Sequence, residues 1–331
     1  MLALSASDIA ESNPSSVNPE LGCAAMSHRV KAIASLNEAI GKPIQSVEQG
    51  NAMIATCFSL LFQSTLIDDG IVEYMTFVRG VLVVSMHMGQ KNIGFLFEHM
   101  FDQEQTVESE LTESPLIDPE HARRACRSLE LFCPFVQNAR EVEFYGNLLS
   151  AARALFTSSR DGMSPSSCSI VAIFPLPPSL LSNRTNATLT AYSYLAKIYA
   201  LFSYFMSHEE FALFIDPSNE AGKLLQSHFA ALQLIMTPFT RRETSGRKAF
   251  RKNATSPDRT DGTTNRWLVA LHRNINPEMR VYYEWPIWVE NAVATGVLKM
   301  SFDEEPILSS SMQDSGDNRT NVMDEIVAES R

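Results

Sequence analysis

The stretches VEQGNAMIATCFSLLFQS (residues 47–64) and IVEYMTFVRGVLVVSMHM (residues 71–88) decide the fold. In the first, Met53, Ile54, Cys57, Phe58, Leu60, Leu61 and Phe62 cover nearly the whole circumference of a helix. The second is apolar on most faces, broken by Glu73, Arg79 and His87. A helix that is apolar all round is enclosed by other helices. Two in succession predict an all-α multi-helix bundle with two central buried helices and long irregular loops elsewhere. Asp68-Asp69-Gly70 between them reads as a turn and an N-terminal cap. The polar interruptions make residues 71–88 unsuited to hydrocarbon, so no membrane span is expected.

Upstream, Val30, Ile33, Leu36 and Ile40 recur at helical spacing, and Gly41 and Pro43 end that helix. Residues 1–21 are rich in Ser, Asn and Pro and read as a disordered lead-in. Downstream, Gln103 to Pro119 reads as an acidic loop. Helices are expected over 120–137, 141–156, 188–207 and 220–236. Ser158–Ser169 reads as a loop, and Phe174 to Pro178 as an extended crossing. Residues 240–265 read as a disordered basic insertion, and 303–331 as a disordered acidic tail. A short helix over 267–273 and a last one from Pro277 return Tyr282, Trp285, Ile287 and Trp288 to the core. The domain therefore spans residues 22–302.

Composition narrows the function. Of 331 residues, 45% are hydrophobic, enough for a sizeable core, and the net charge is −11. That sign does not suit a chain that coats nucleic acid by bulk charge. The five cysteines, Cys23, Cys57, Cys126, Cys133 and Cys168, include no CxxC pair, so no zinc cluster can be ligated by them. Reduced thiols in an intracellular compartment are expected. Met1 to Glu20 has neither the basic nor the apolar segment of a signal peptide. The sequons at Asn183, Asn186, Asn253 and Asn318 are therefore read as coincidental.

No nucleophile elbow, HExxH or phosphate loop occurs, and no enzyme is expected. His208-Glu209-Glu210 lies on adjacent helix positions that do not converge on one ion. Arg79 sits mid-way along an apolar helix and needs a partner; Asp68, Asp69 and Glu73 are the nearest acids in sequence. Met75, Met86, Met88 and Met100, with Phe58, Phe62, Phe77, Phe95 and Phe97, form a pliable apolar cluster. By spacing alone this is core. Arg241, Arg242, Arg247, Lys248, Arg251 and Lys252 form spaced basic pairs, as in a nuclear import signal or a solvated loop.

Three groups of residues carry a family likeness. They are His28 to Ile40; then Phe62-Gln63-Ser64, Asp69-Gly70 and Arg79-Gly80 in that order; and Met279 to Val289 with its Trp285-Pro286 pair. In these the chain resembles the regulatory, ligand-sensing region of fungal zinc binuclear cluster transcription factors, in particular the sterol uptake control type. The resemblance implies an all-α regulatory domain that controls metabolic genes, sterol or secondary-metabolite, from the nucleus, shuttling there from the cytoplasm. It turns the apolar cluster into a candidate lipid pocket lined by Phe58, Phe62, Met75, Val78, Leu82 and Met86, with Arg79 as a polar contact. It implies a sterol or other lipid ligand, and a homodimer or a heterodimer with a DNA-binding factor. The family's six-cysteine zinc cluster is missing here, so direct DNA contact is not expected and no cofactor is expected in this chain. The alternative is a stand-alone hydrophobic-ligand or dimerisation module.

Overall fold

Eleven α-helices and no strand make up the described residues of a computed structural model, which are 2–12, 19–94, 96, 117–156, 185–237, 260–273 and 275–298. The helices are α1 (Leu2–Ser12), α2 (Pro19–Ile40), α3 (Val47–Ser64), α4 (Ile71–Gln90), α5 (Pro119–Phe132), α6 (Ala139–Phe156), α7 (Thr185–Ala200), α8 (His208–Phe214), α9 (Glu220–Ile235), α10 (Thr260–His272) and α11 (Glu284–Ala294). The all-α multi-helix expectation holds. The helix starts follow from side-chain caps: Ser46 accepts from the Gln49 N–H, Asp118 from Glu120, and Asn219 from Gly222. Ser207 and Glu210 form a reciprocal capping box at α8. Glu210 of the His208-Glu209-Glu210 run thus serves a helix start and an ion pair with Arg140.

The apolar side chains form two clusters. The larger draws on α5 to α11 and on Ile71 and Met75 of α4. The smaller gathers Leu36, Ile44, Met53, Ile54, Cys57, Leu60, Phe77, Val81, Val84 and Met88 from the α2–α4 region. α4 serves both. Ile71, Met75 and Val78 point to the larger cluster, while Phe77, Val81, Val84 and Met88 point to the smaller. Both sets recur at three- and four-residue spacing, so each is one face of the helix. This explains an apolar circumference without a membrane, although α4 is long and apolar enough to cross one by length and composition.

The enclosed helix is not where the sequence placed it. In α9, 13 of 16 residues are buried, against 8 of 18 in α3 and 6 of 20 in α4. α3 leaves Phe62 exposed and α4 leaves Met86 exposed. Close approach still locks α3 to α4. A Cβ on Gly50 would lie 2.6 Å from the Met88 sulfur, and one on Gly80 would lie 3.3 Å from the Cys57 sulfur.

Four boundaries are corrected. The lead-in over 1–21 contains helix α1 and the start of α2, because Ala3 is buried and α1 packs on α2 and α3. The helix expected over 120–137 ends at Phe132, where Cys133–Phe135 with Pro134 tightens into a 3-10 turn. The helix expected over 188–207 passes at Leu201–Phe205 into a π turn. Residues 260–265 of the basic insertion belong to α10. Asp69 does not cap α4: Gly70 is its N-cap, with no side-chain cap bond. Gly70 has an ordinary helical φ of −73°, so it is not there for backbone freedom. A Cβ there would collide with the Ser64 carbonyl oxygen.

Candidate functional site

The largest fully buried side chain among the described residues is charged. Arg29 of α2 is 1% exposed. Its Nη1 donates to the Leu60 carbonyl at 3.3 Å and to Gln63 Oε1 at 3.0 Å. Its Nη2 donates to Ser64 Oγ at 3.0 Å and to Glu73 Oε2 at 2.5 Å. The guanidinium also lies 5.3 Å from the Phe77 ring centroid, a cation–π distance. The Gln63 amide donates onward to the Ala3 carbonyl and to Ser7 Oγ. Trp267 Nε1 of α10 donates to the Ser64 carbonyl, and Asp68 pairs with Arg273 and Arg266. One polar hub therefore ties α1, α2, α3, α4 and α10 together.

A second polar group lies on α9. His228 Nδ1 donates to the Leu224 carbonyl at 2.8 Å, and Nε2 accepts from Ser128 Oγ at 2.9 Å. Burial pushes this imidazole down to about 3, so it is neutral. Beside it, Ser227 Oγ lies 2.8 Å from His272 Nε2, and His272 Nδ1 donates to Glu290 Oε2 at 2.5 Å. Burial also lowers the His272 pKa, against the Glu290 hydrogen bond that raises it. Distances and donors match a Ser–His–acid triad. Access does not, because Ser227 is 0% exposed in the middle of the most enclosed helix. The group joins α9, α10 and α11.

The partners of Arg79 are not Asp68, Asp69 or Glu73, the acids expected from the sequence. Its Nη1 donates to the Phe202 carbonyl at 3.0 Å, and its guanidinium lies 5.3 Å from the Phe211 ring centroid. Glu73 belongs to Arg29, and Asp68 to Arg266 and Arg273. Desolvation lowers the Arg79 pKa, against the raising field of Glu210.

The six candidate pocket residues are not brought together. Met75 and Val78 sit in or against the larger cluster, and Leu82 is half-buried further along α4. Met86 is exposed. Phe58 and Phe62 stack on α3 with ring centroids 6.3 Å apart, Phe58 against the smaller cluster and Phe62 in solvent. The basic positions Arg241, Arg242, Arg247, Lys248, Arg251 and Lys252 lie outside the described residues, as do Phe95, Phe97 and Met100. Among the described residues, no group of three or more His, Cys, Asp or Glu could hold a metal ion. Cys57 and Cys126 are buried free thiols, and burial pushes Cys57 up to about 12.

Sequence reasoning missed Arg29, Ser227, His228, His272 and Glu290. The signal available for Arg29 was weak: a basic residue one helical turn from the buried Ala25 and two turns from the buried Leu36. Comparisons with family models, curated proteins and solved structures find no match.

Proposed function

We propose that the chain is a regulatory module of the fungal zinc-cluster transcription factor type, which acts through protein contacts and does not itself touch DNA. The observation behind this reading is where the resemblance residues fall. Arg29 of the His28–Ile40 stretch bonds Gln63 and Ser64. Gly70 packs on the Ser64 carbonyl, and Gly80 packs on Cys57. Arg79 holds the π turn. Gln63, Ser64, Gly70, Arg79 and Gly80 thus each hold a packing or hydrogen-bonding position, while Phe62 and Asp69 are exposed, and the resemblance rests on the first five. The 331 residues contain no CxxC, and their charge of −11 opposes DNA contact. Nuclear entry is assigned to the basic positions 241–252. The hydrophobic-ligand alternative needs Phe58, Phe62, Met75, Val78, Leu82 and Met86 to line one cavity, and their separate surroundings do not favour it.

The test is to tether the full chain to an unrelated DNA-binding domain and read a reporter gene in a fungal host, with and without added sterol. A several-fold change over the DNA-binding domain alone supports the reading. A change seen only with sterol favours ligand sensing. No change under either condition overturns the regulatory reading.

A further inference from the structure

α2 is 22 residues long, yet only Ala25, Arg29 and Leu36 on it are buried. Ala32, Ile33, Ala39 and Ile40 add partly buried contacts to the smaller cluster. The outer face carries Met26 and Val30 in solvent. The one large side chain that α2 sinks completely is therefore the Arg29 guanidinium. Its Nε finds no acceptor among the described residues. A buried ion contributes little net stability once its desolvation is counted, but it is specific about geometry. α1 runs along α2 and reaches α3 through the Gln63 amide bonds to Ala3 and Ser7. The anchorage of the fold is thus graded. It is weakest at α1 and α2, firmer where Gly50 and Gly80 let α3 and α4 approach closely, and strongest at α9. Local opening free energy follows buried apolar contact.

We propose that α1 and α2 form a strap that opens as one cooperative unit while α3 to α11 stay folded, with the Arg29 guanidinium as its latch. Opening withdraws the guanidinium from the Leu60 carbonyl, Gln63, Ser64, Glu73 and the Phe77 face. What it leaves is a socket of one carboxylate, three neutral acceptor oxygens and an aromatic ring, a set matched to a forked cation.

Native-state hydrogen exchange of the full chain, read by mass spectrometry in rising denaturant, tests this. Peptides from α1 and α2 are expected to share one opening and to exchange at least ~100-fold faster than those of α9. In Arg29→Lys, which keeps the charge and loses the fork, exchange across residues 2–40 rises at least ~10-fold while α9 is unchanged. If α2 and α9 of the unaltered chain exchange in one global event, the strap is overturned. If Arg29→Lys speeds exchange only within a turn of residue 29, the latch is overturned.

Discussion

Arg79 Nη1 lies 3.0 Å from the carbonyl oxygen of Phe202 and donates to it. That carbonyl is free because the chain closes a π turn: the Met206 N–H bonds to Leu201, five residues back, instead of to Phe202. A buried carbonyl without a donor costs about 1–3 kcal/mol. Arg79→Met should lower the unfolding free energy by that amount, and Arg79→Lys by less. Urea denaturation monitored by circular dichroism checks it. An unchanged midpoint for Arg79→Met would show that the link carries no stability.

Gly70 and Gly89 separate crowding from helix propensity. A Cβ at 70 meets the Ser64 carbonyl, whereas at 89 nothing lies within 4 Å. Gly70→Ala should therefore destabilise by about 2 kcal/mol or more, as overpacking against backbone does. Gly89→Ala, at the exposed end of α4, should stabilise by about 0.5–1 kcal/mol. Thermal melts of both variants decide this, and a neutral Gly70→Ala would contradict the close approach.

Acid should weaken the fold through His228. Unfolded, the imidazole titrates near 6.5; folded, burial holds it at about 3. Below pH 6.5 the unfolded chain binds a proton that the folded chain refuses. Stability is thus full above pH 6.5 and falls as pH drops toward 3, by about 1.4 kcal/mol per pH unit from this group. His272, also lowered by burial, acts in the same direction. The measurement is unfolding free energy against pH from 7 to 4.5 for the unaltered chain and for His228→Gln. The variant's slope should be flatter by about 1.4 kcal/mol per unit. Equal slopes would mean that His228 does not titrate on unfolding.

How far the sequence could be read depends on what kind of pattern each element carries. The helical character of α3 and α4 was plain from apolar spacing, but their enclosure was misjudged. The sequence of α4 does not reveal that its Ile71–Met75–Val78 and Phe77–Val81–Val84–Met88 faces serve separate clusters. α9 was hidden as the enclosed helix because Gln226, Ser227 and His228 interrupt its apolar run. Ser227 and His228 find partners on α10 and α5, out of reach of local periodicity. Arg29 lies between His28 and Lys31, and nothing in the local sequence marks it as buried. Its partners lie 31 to 44 residues away in sequence. The mid-helix position of Arg79 was legible, but a π turn has no sequence signature, so its partner was not.

The Ser227–His272–Glu290 group allows a sharp separation of geometry from function. A nucleophile must present its oxygen to a substrate and to oxyanion donors, and Ser227 has no exposed surface. Its hydroxyl instead satisfies the neutral Nε2 of a buried imidazole, whose Nδ1–H is held by Glu290. Ser227→Ala should therefore cost about 1–3 kcal/mol of stability, the penalty for leaving that buried nitrogen without a donor. Incubation of the folded chain with a fluorophosphonate probe should leave Ser227 unmodified by mass spectrometry. A covalent adduct at Ser227 in native protein, lost in His272→Gln, would show that the helix opens to admit substrate and that the group is a working nucleophile after all.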